Sequence, residues 1–143
     1  MRHDLEVSKS IVINADPSKV WNALTNPEII KEYLHGTETV TDWKIGSKII
    51  FQGEYNGQKY RDHGVILKNI LNNILSYSYW SIFLGIEDKK ENYSTVTYTL
   101  TQKGGNQTEL RWTQNGFLNE EAHKHSESGM DKFLGEIKAI IER

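Results

Sequence analysis

The chain closes with its one long helical pattern, and that pattern follows a run of strands. Met130, Phe133, Leu134, Ile137, Ile140 and Ile141 recur at steps of three and four, while Asp131, Lys132, Glu136, Lys138 and Glu142 take the opposite side. Residues 119–143 therefore predict one amphipathic helix. Asn119 can cap its start, with Glu120 and Glu121 at the positive end of the helix dipole. Residues 37–116 instead alternate in steps of two. Ile49, Phe51 and Tyr55 share a face, as do Leu75, Tyr77 and Tyr79, then Val96, Tyr98 and Leu100, then Leu110 and Trp112. Half-buried antiparallel strands need a cover for their apolar side, and a single helix is the only long element that can supply it. The sheet must curl around that helix. No strand–helix–strand alternation is present, so parallel-sheet nucleotide folds are disfavoured.

The joints agree with this outline. The Asn56-Gly57 pair is a strong two-residue hairpin signal, Asn72-Asn73 a weaker one, and Gly104-Gly105-Asn106 another turn, while residues 84–92 look like a longer solvated loop. Both prolines fall in "ADPSKVWNALTNPEIIKEYL", residues 15–34, after Asp16 and Asn26. Proline suits a first helical position, where its missing N–H costs nothing, and Asp or Asn before it can cap. Two short helices are expected, about 17–24 and 27–34, between an opening strand near "LEVSKSIVIN" and the strand run. Gly129 and Gly135 each cost about 1 kcal/mol relative to alanine in a helix. Two glycines on a core helix predict close approach, a kink, or space left open beneath it.

At 143 residues one domain, 1–143, is expected. A net charge of −2 offers no basic footprint for nucleic acid or an anionic membrane surface. With no cysteine, a disulfide framework, a thiol nucleophile and a thiolate metal site are excluded. "MRHDLEVSKS" lacks the apolar run of a signal peptide, and no segment approaches about 18 uninterrupted apolar residues, so a soluble cytoplasmic protein is the expectation.

The opening helix pair, "GVIL" at 64–67 followed by "NNILSYSYW", the block "STVTYTLTQKGGNQTELRWTQNGF" and the closing "GMDKFLGEIKAIIE" together resemble the START-like (SRPBCC) superfamily. Within it the chain is most similar to bacterial proteins like the C-terminal domain of activators of the ninety-kilodalton heat-shock chaperone ATPase. That resemblance implies an α+β helix-grip fold: a curved antiparallel sheet of about six or seven strands around a long C-terminal helix, with two short helices after strand one. It also implies a cavity between sheet and helix, in which relatives hold hydrophobic ligands; some are cyclases or hydrolases, some carry lipids, and some bind the chaperone. Met130 stands where many relatives have tryptophan, and "NILNNIL" lacks the proline often found before the third strand.

The strongest functional candidates are the side chains aimed at that space. Phe51, Ile66, Tyr77, Val96, Tyr98, Leu110, Trp112, Met130, Phe133, Leu134 and Ile137 would form an apolar wall, and Tyr55, Tyr60 or Tyr79 would orient polar groups. Buried tyrosine hydroxyls want partners, so a cluster of tyrosines suits a mixed cavity better than a dry core. An empty hollow of about 300 Å³ costs on the order of 7 kcal/mol at about 24 cal/mol per Å³, comparable with the stability of a whole domain. A hollow that large implies use.

Two polar clusters carry weaker signals. In "HKHSES", residues 123–128, His123 and His125 point to nearly opposite sides of a helix, so a solvated face explains them better than a metal. In "YRDHG", residues 60–64, Asp62 is expected at an exposed rim beside Lys59 and Arg61, since an unpaired Asp is rarely buried. The alternative, inward with Tyr60 and Ile66, would make it the chain's buried carboxylate. No nucleophile elbow, phosphate-cradling loop or paired carboxylates are present. No catalytic residue, cofactor or metal is assigned. The expected function is binding of a small hydrophobic or aromatic molecule. The alternatives are a co-chaperone-like module docking on a heat-shock chaperone ATPase, and a cyclase- or hydrolase-type enzyme using Asp62 or a pocket tyrosine.

Overall fold

The computed structural model describes all residues from Met1 to Arg143. Strand β1 (Arg2–Ile13) leads into helices α1 (Pro17–Thr25) and α2 (Pro27–Tyr33). Strands β2 (Glu38–Val40), β3 (Lys48–Tyr55), β4 (Gln58–Ile70), β5 (Ile74–Tyr79), β6 (Ser94–Gly104) and β7 (Gln107–Phe117) follow, and helix α3 (Glu120–Glu142) ends the chain. The seven strands form one curved antiparallel sheet in the order β1-β7-β6-β5-β4-β3-β2. This is the helix-grip arrangement expected.

Local chemistry explains the short helices. Asp16 accepts from the amide of Lys19 and Asn26 from that of Glu28, each ahead of a proline at the first helical position. Asn26 also closes α1, so one residue ends one helix and begins the next. The hydroxyl of Tyr33 donates to the Ala23 carbonyl at 2.9 Å, pinning α2 to α1. At the β3–β4 hairpin, Asn56 and Gly57 have φ of 50° and 78°, the left-handed pair that a tight turn between right-twisted strands requires.

Helix α3 is tied along the edge strand β1. His123 Nε2 lies 2.8 Å from the Glu6 carbonyl, Lys9 pairs with Asp131 at 3.8 Å, Lys138 Nζ donates to the Val12 carbonyl at 2.7 Å, and the Asn14 amide donates to Glu142 at 2.7 Å. Helix and strand therefore run in the same direction, and the helix supplies partners for a strand that has a neighbour on one side only. Leu134, Ile137 and Ile141 are buried in the main core with Val7, Ile13 and Leu110. A smaller core of Ile49, Phe51 and Ile66 lies apart from it, and Leu34, Trp43, Tyr77 and Tyr79 pack against both.

The segment 84–92 is less free than a solvated loop. It holds a 3₁₀ turn at Lys90–Asn92, and Asp88 reaches back to the sheet, pairing with His63 Nε2 at 3.0 Å and accepting from the Tyr93 hydroxyl. His3 Nε2 also lies 2.7 Å from the Glu91 carbonyl. No helix is long and apolar enough to cross a membrane.

Candidate functional site

The two cores part around a cavity of about 420 Å³. The sheet supplies Phe51 from β3, Tyr60 and Asp62 from β4, Tyr77 and Tyr79 from β5, Val96 and Tyr98 from β6, and Trp112 and Gln114 from β7. Helix α3 supplies His125, Ser126, Gly129, Met130 and Phe133, and the α2 end supplies Leu34 and Thr37. Strand register makes this possible. Phe51 pairs with Asp62, Tyr77 with Val96, and Tyr98 with Trp112, so each pair presents side chains to the same concave face. The cavity opens on the α3 side, where His125 and Gly129 are exposed. A Cβ on Gly129 would meet nothing within 4 Å, so this glycine marks open space beneath the helix rather than close approach.

Aromatic rings dominate the wall. Phe51 lies 5.5 Å from Tyr77 and 5.9 Å from Tyr79 between ring centroids, and Tyr33 at the end of α2 meets Phe133 edge-on at 5.8 Å. Burial raises the phenol pKa of Tyr77, Tyr79 and Tyr98 above the ordinary value; at Tyr79 the adjacent Asp62 adds to the shift, and at Tyr98 the neighbouring Tyr77 does. These hydroxyls remain neutral donors across the physiological range. Tyr60 forms one end of the site. Its hydroxyl shares a 2.5 Å hydrogen bond with Thr37, and its ring end lies over Gly53, where a Cβ would come within 2.6 Å of the hydroxyl. Beyond Tyr60 lies a groove of about 670 Å³ with charged walls that include Lys31, Glu38, Glu54, Lys59 and Arg61. Only three of its lining residues are hydrophobic, so it does not suit an apolar ligand.

Asp62 corrects the sequence expectation. It is 6% exposed and faces inward, because Asp62, Gly64 and Ile66 alternate onto the buried side of β4. Its Oδ2 accepts from the Tyr79 hydroxyl at 2.6 Å, while Oδ1 is buried without a partner. The register that turns it inward depends on Gly64, where a Cβ would lie 1.6 Å from the Ser78 carbonyl oxygen. Only glycine allows β4 and β5 to approach so closely at that point.

The cavity brings together Phe51, Tyr60, Tyr77, Tyr79, Val96, Tyr98, Trp112, Met130 and Phe133. Ile66, Leu110, Leu134 and Ile137 face inward but lie within the packed cores, each at most 1% exposed. Tyr55 is 65% exposed at the β3–β4 hairpin, where the strands run out beyond the cavity. Leu34, Thr37, Gln114 and Ser126 also line the cavity although no alternation or motif in the sequence marks them, and His125, which the helix pattern assigns to a solvated face, stands at its rim. His123 is occupied elsewhere, against the Glu6 carbonyl and edge-on to Phe117.

A curved seven-stranded sheet gripping a C-terminal helix over an internal cavity defines a START-like protein. The chain belongs to the family described as "Activator of Hsp90 ATPase homolog 1-like protein", whose model matches residues 14–142. Among solved structures it is similar to a Cytophaga hutchinsonii protein known in solution, at 45% identity and TM-score 0.84, covering 99% of this chain and 97% of that one. It shares its fold with an HSP90 activator from Plasmodium falciparum, at 19% identity and TM-score 0.74 over 96% of both chains. The Aha1 dimer from Colwellia psychrerythraea has the same fold, at 20% identity and TM-score 0.74 over 96% of both chains. No curated protein matches the chain.

Proposed function

We propose that this protein binds a small apolar or aromatic molecule in the cavity between the sheet and α3. One observation carries the reading: a hollow of about 420 Å³ with ten hydrophobic residues among its sixteen lining positions. Its size and its few convergent polar groups match those of ligand pockets in general. A thermal-shift screen against lipids, flavonoids and polyketide-like aromatics tests the reading. A ligand at 100 times its dissociation constant adds about 2.7 kcal/mol, or about 10 °C for a chain of this length. A broad library that produces no shift would remove the proposal.

Family membership favours a second reading, in which the outer surface docks on a heat-shock chaperone ATPase. Repeated recovery of the chaperone from cell extract by both the unmutated chain and Trp112→Ala would support docking independent of the cavity. An enzymatic reading keeps Asp62 as an acid–base candidate joined to Tyr79, but the cavity has no second carboxylate and no lysine, so no reaction is assigned.

A further inference from the structure

Asp62 is the one carboxylate in the cavity wall, and the wall holds no lysine or arginine. Its charge is served by a single donor, the Tyr79 hydroxyl, and Oδ1 has none. A carboxylate at 6% exposure has given up most of its contact with water, and one neutral phenol is the only donor it has gained in exchange. Around it stand ring systems: Phe51 is its cross-strand partner, with Tyr77 and Tyr79 within 6 Å of Phe51 between centroids. Aromatic faces attract cations and do nothing comparable for anions. A buried carboxylate with a single neutral donor, set among aromatic rings, favours a cationic partner over a neutral or anionic one.

Resting on the pocket reading above and narrowing it, we infer that the cavity takes an organic cation, an ammonium group on an apolar or aromatic body, with its charge beside Asp62. The ammonium compensates the carboxylate from within about 4–6 Å, so it need not touch Oδ1 itself. Its body lies along Val96, Tyr98, Trp112 and Met130 toward the open side of α3. A neutral ligand would leave the carboxylate uncompensated, and an anion would be repelled by it. His125, the other ionisable group besides the tyrosines, sits at the exposed rim on α3.

Phenylbutylamine, phenylbutanol and phenylbutyrate share one body and differ in the charge of the head. Titrated against the full chain at neutral pH, with tryptophan fluorescence reporting through Trp112, the amine should bind at least about tenfold tighter than the alcohol, and the carboxylate weakest. Asp62→Asn should bring the amine down to the alcohol's affinity. Circular dichroism and melting establish that the variant folds; if it does not, the amine-to-alcohol ratio of the unmutated chain decides alone. Equal binding of amine and alcohol, tightest binding of the carboxylate, or an amine advantage that survives in folded Asp62→Asn overturns the cation. If none of the three binds while the broad screen finds another ligand, the cation falls and the pocket stands. If nothing binds in either experiment, both fall.

Discussion

Leu134 and Met130 lie one helical turn apart on α3, and truncating either to alanine removes the same number of heavy atoms. Their surroundings differ. Leu134 is 1% exposed within the main core, whereas Met130 is half-buried and lines the cavity. Leu134→Ala loses the full transfer energy and leaves a new void among packed neighbours, a cost of about 3–4 kcal/mol. Met130→Ala merely widens a hollow that already exists, so the cavity penalty vanishes and part of the transfer energy remains, about 1 kcal/mol. At about 4 °C per kcal/mol for a chain of this size, the two variants should melt about 14 °C and about 4 °C below the unmutated protein. Urea unfolding provides an independent measure through the midpoint at constant slope. If Met130→Ala costs as much as Leu134→Ala, the hollow is closed in solution and the ligand reading loses its basis. If Leu134→Ala costs nothing, α3 does not lie across the sheet.

Three further outcomes follow from the same geometry. Gly64→Ala forces a Cβ to within 1.6 Å of the Ser78 carbonyl, so β4 and β5 must separate; the variant should lose more than about 3 kcal/mol in urea unfolding, and a loss under about 1 kcal/mol would contradict the observed register. Gly129→Ala meets nothing within 4 Å and should gain about 1 kcal/mol from helix propensity; a melting temperature that falls would mean the helix is bent or crowded there. Burial raises the phenol pKa of Tyr33, Tyr77, Tyr79 and Tyr98, and a raised folded-state value means the unfolded chain gives up its protons first. Stability is therefore unaffected by these groups below about pH 10 and falls above it, by up to about 1.4 kcal/mol per pH unit for each tyrosine, as ultraviolet titration against alkaline unfolding will show. Ionisation of all four at the ordinary phenol value in the native protein would contradict their burial.

The parts of this fold that depend on local chemistry were legible in the sequence. Asp16-Pro17 and Asn26-Pro27 begin helices, Asn56-Gly57 turns a hairpin, and the stripe from Met130 to Ile141 faces the sheet. What could not be read is set by contacts between distant segments. Alternation correctly turned Leu110 and Trp112 to one face, but only the position of α3 above the sheet decides that Leu110 is packed and Trp112 borders the hollow. Tyr55 continues the alternation of Phe51 and yet lies beyond the reach of the helix. Asp62 carried the right parity, matching Ile66, and the general rarity of buried aspartate argued against it. The anchoring of 84–92 through Asp88 to His63 left no local trace at all.

That division also explains how one helix can both hold the fold together and leave it open. The C-terminal part of α3, from Leu134 to Ile141, packs into the main core, and its side chains reach Val12 and Asn14 at the end of β1. The preceding turns, from His125 to Phe133, stand over the hollow, with Gly129 presenting no side chain toward it. Stability and access are thus separated along a single element. Changes before Leu134 should alter what the cavity holds with little effect on folding, and changes after it should do the reverse. Phe133 lies at the boundary, bridging Tyr33 on α2 to the cavity wall. Phe133→Ala should therefore be the exception, lowering the melting temperature and ligand affinity together; a variant that lost one and kept the other would show that the boundary lies elsewhere on the helix.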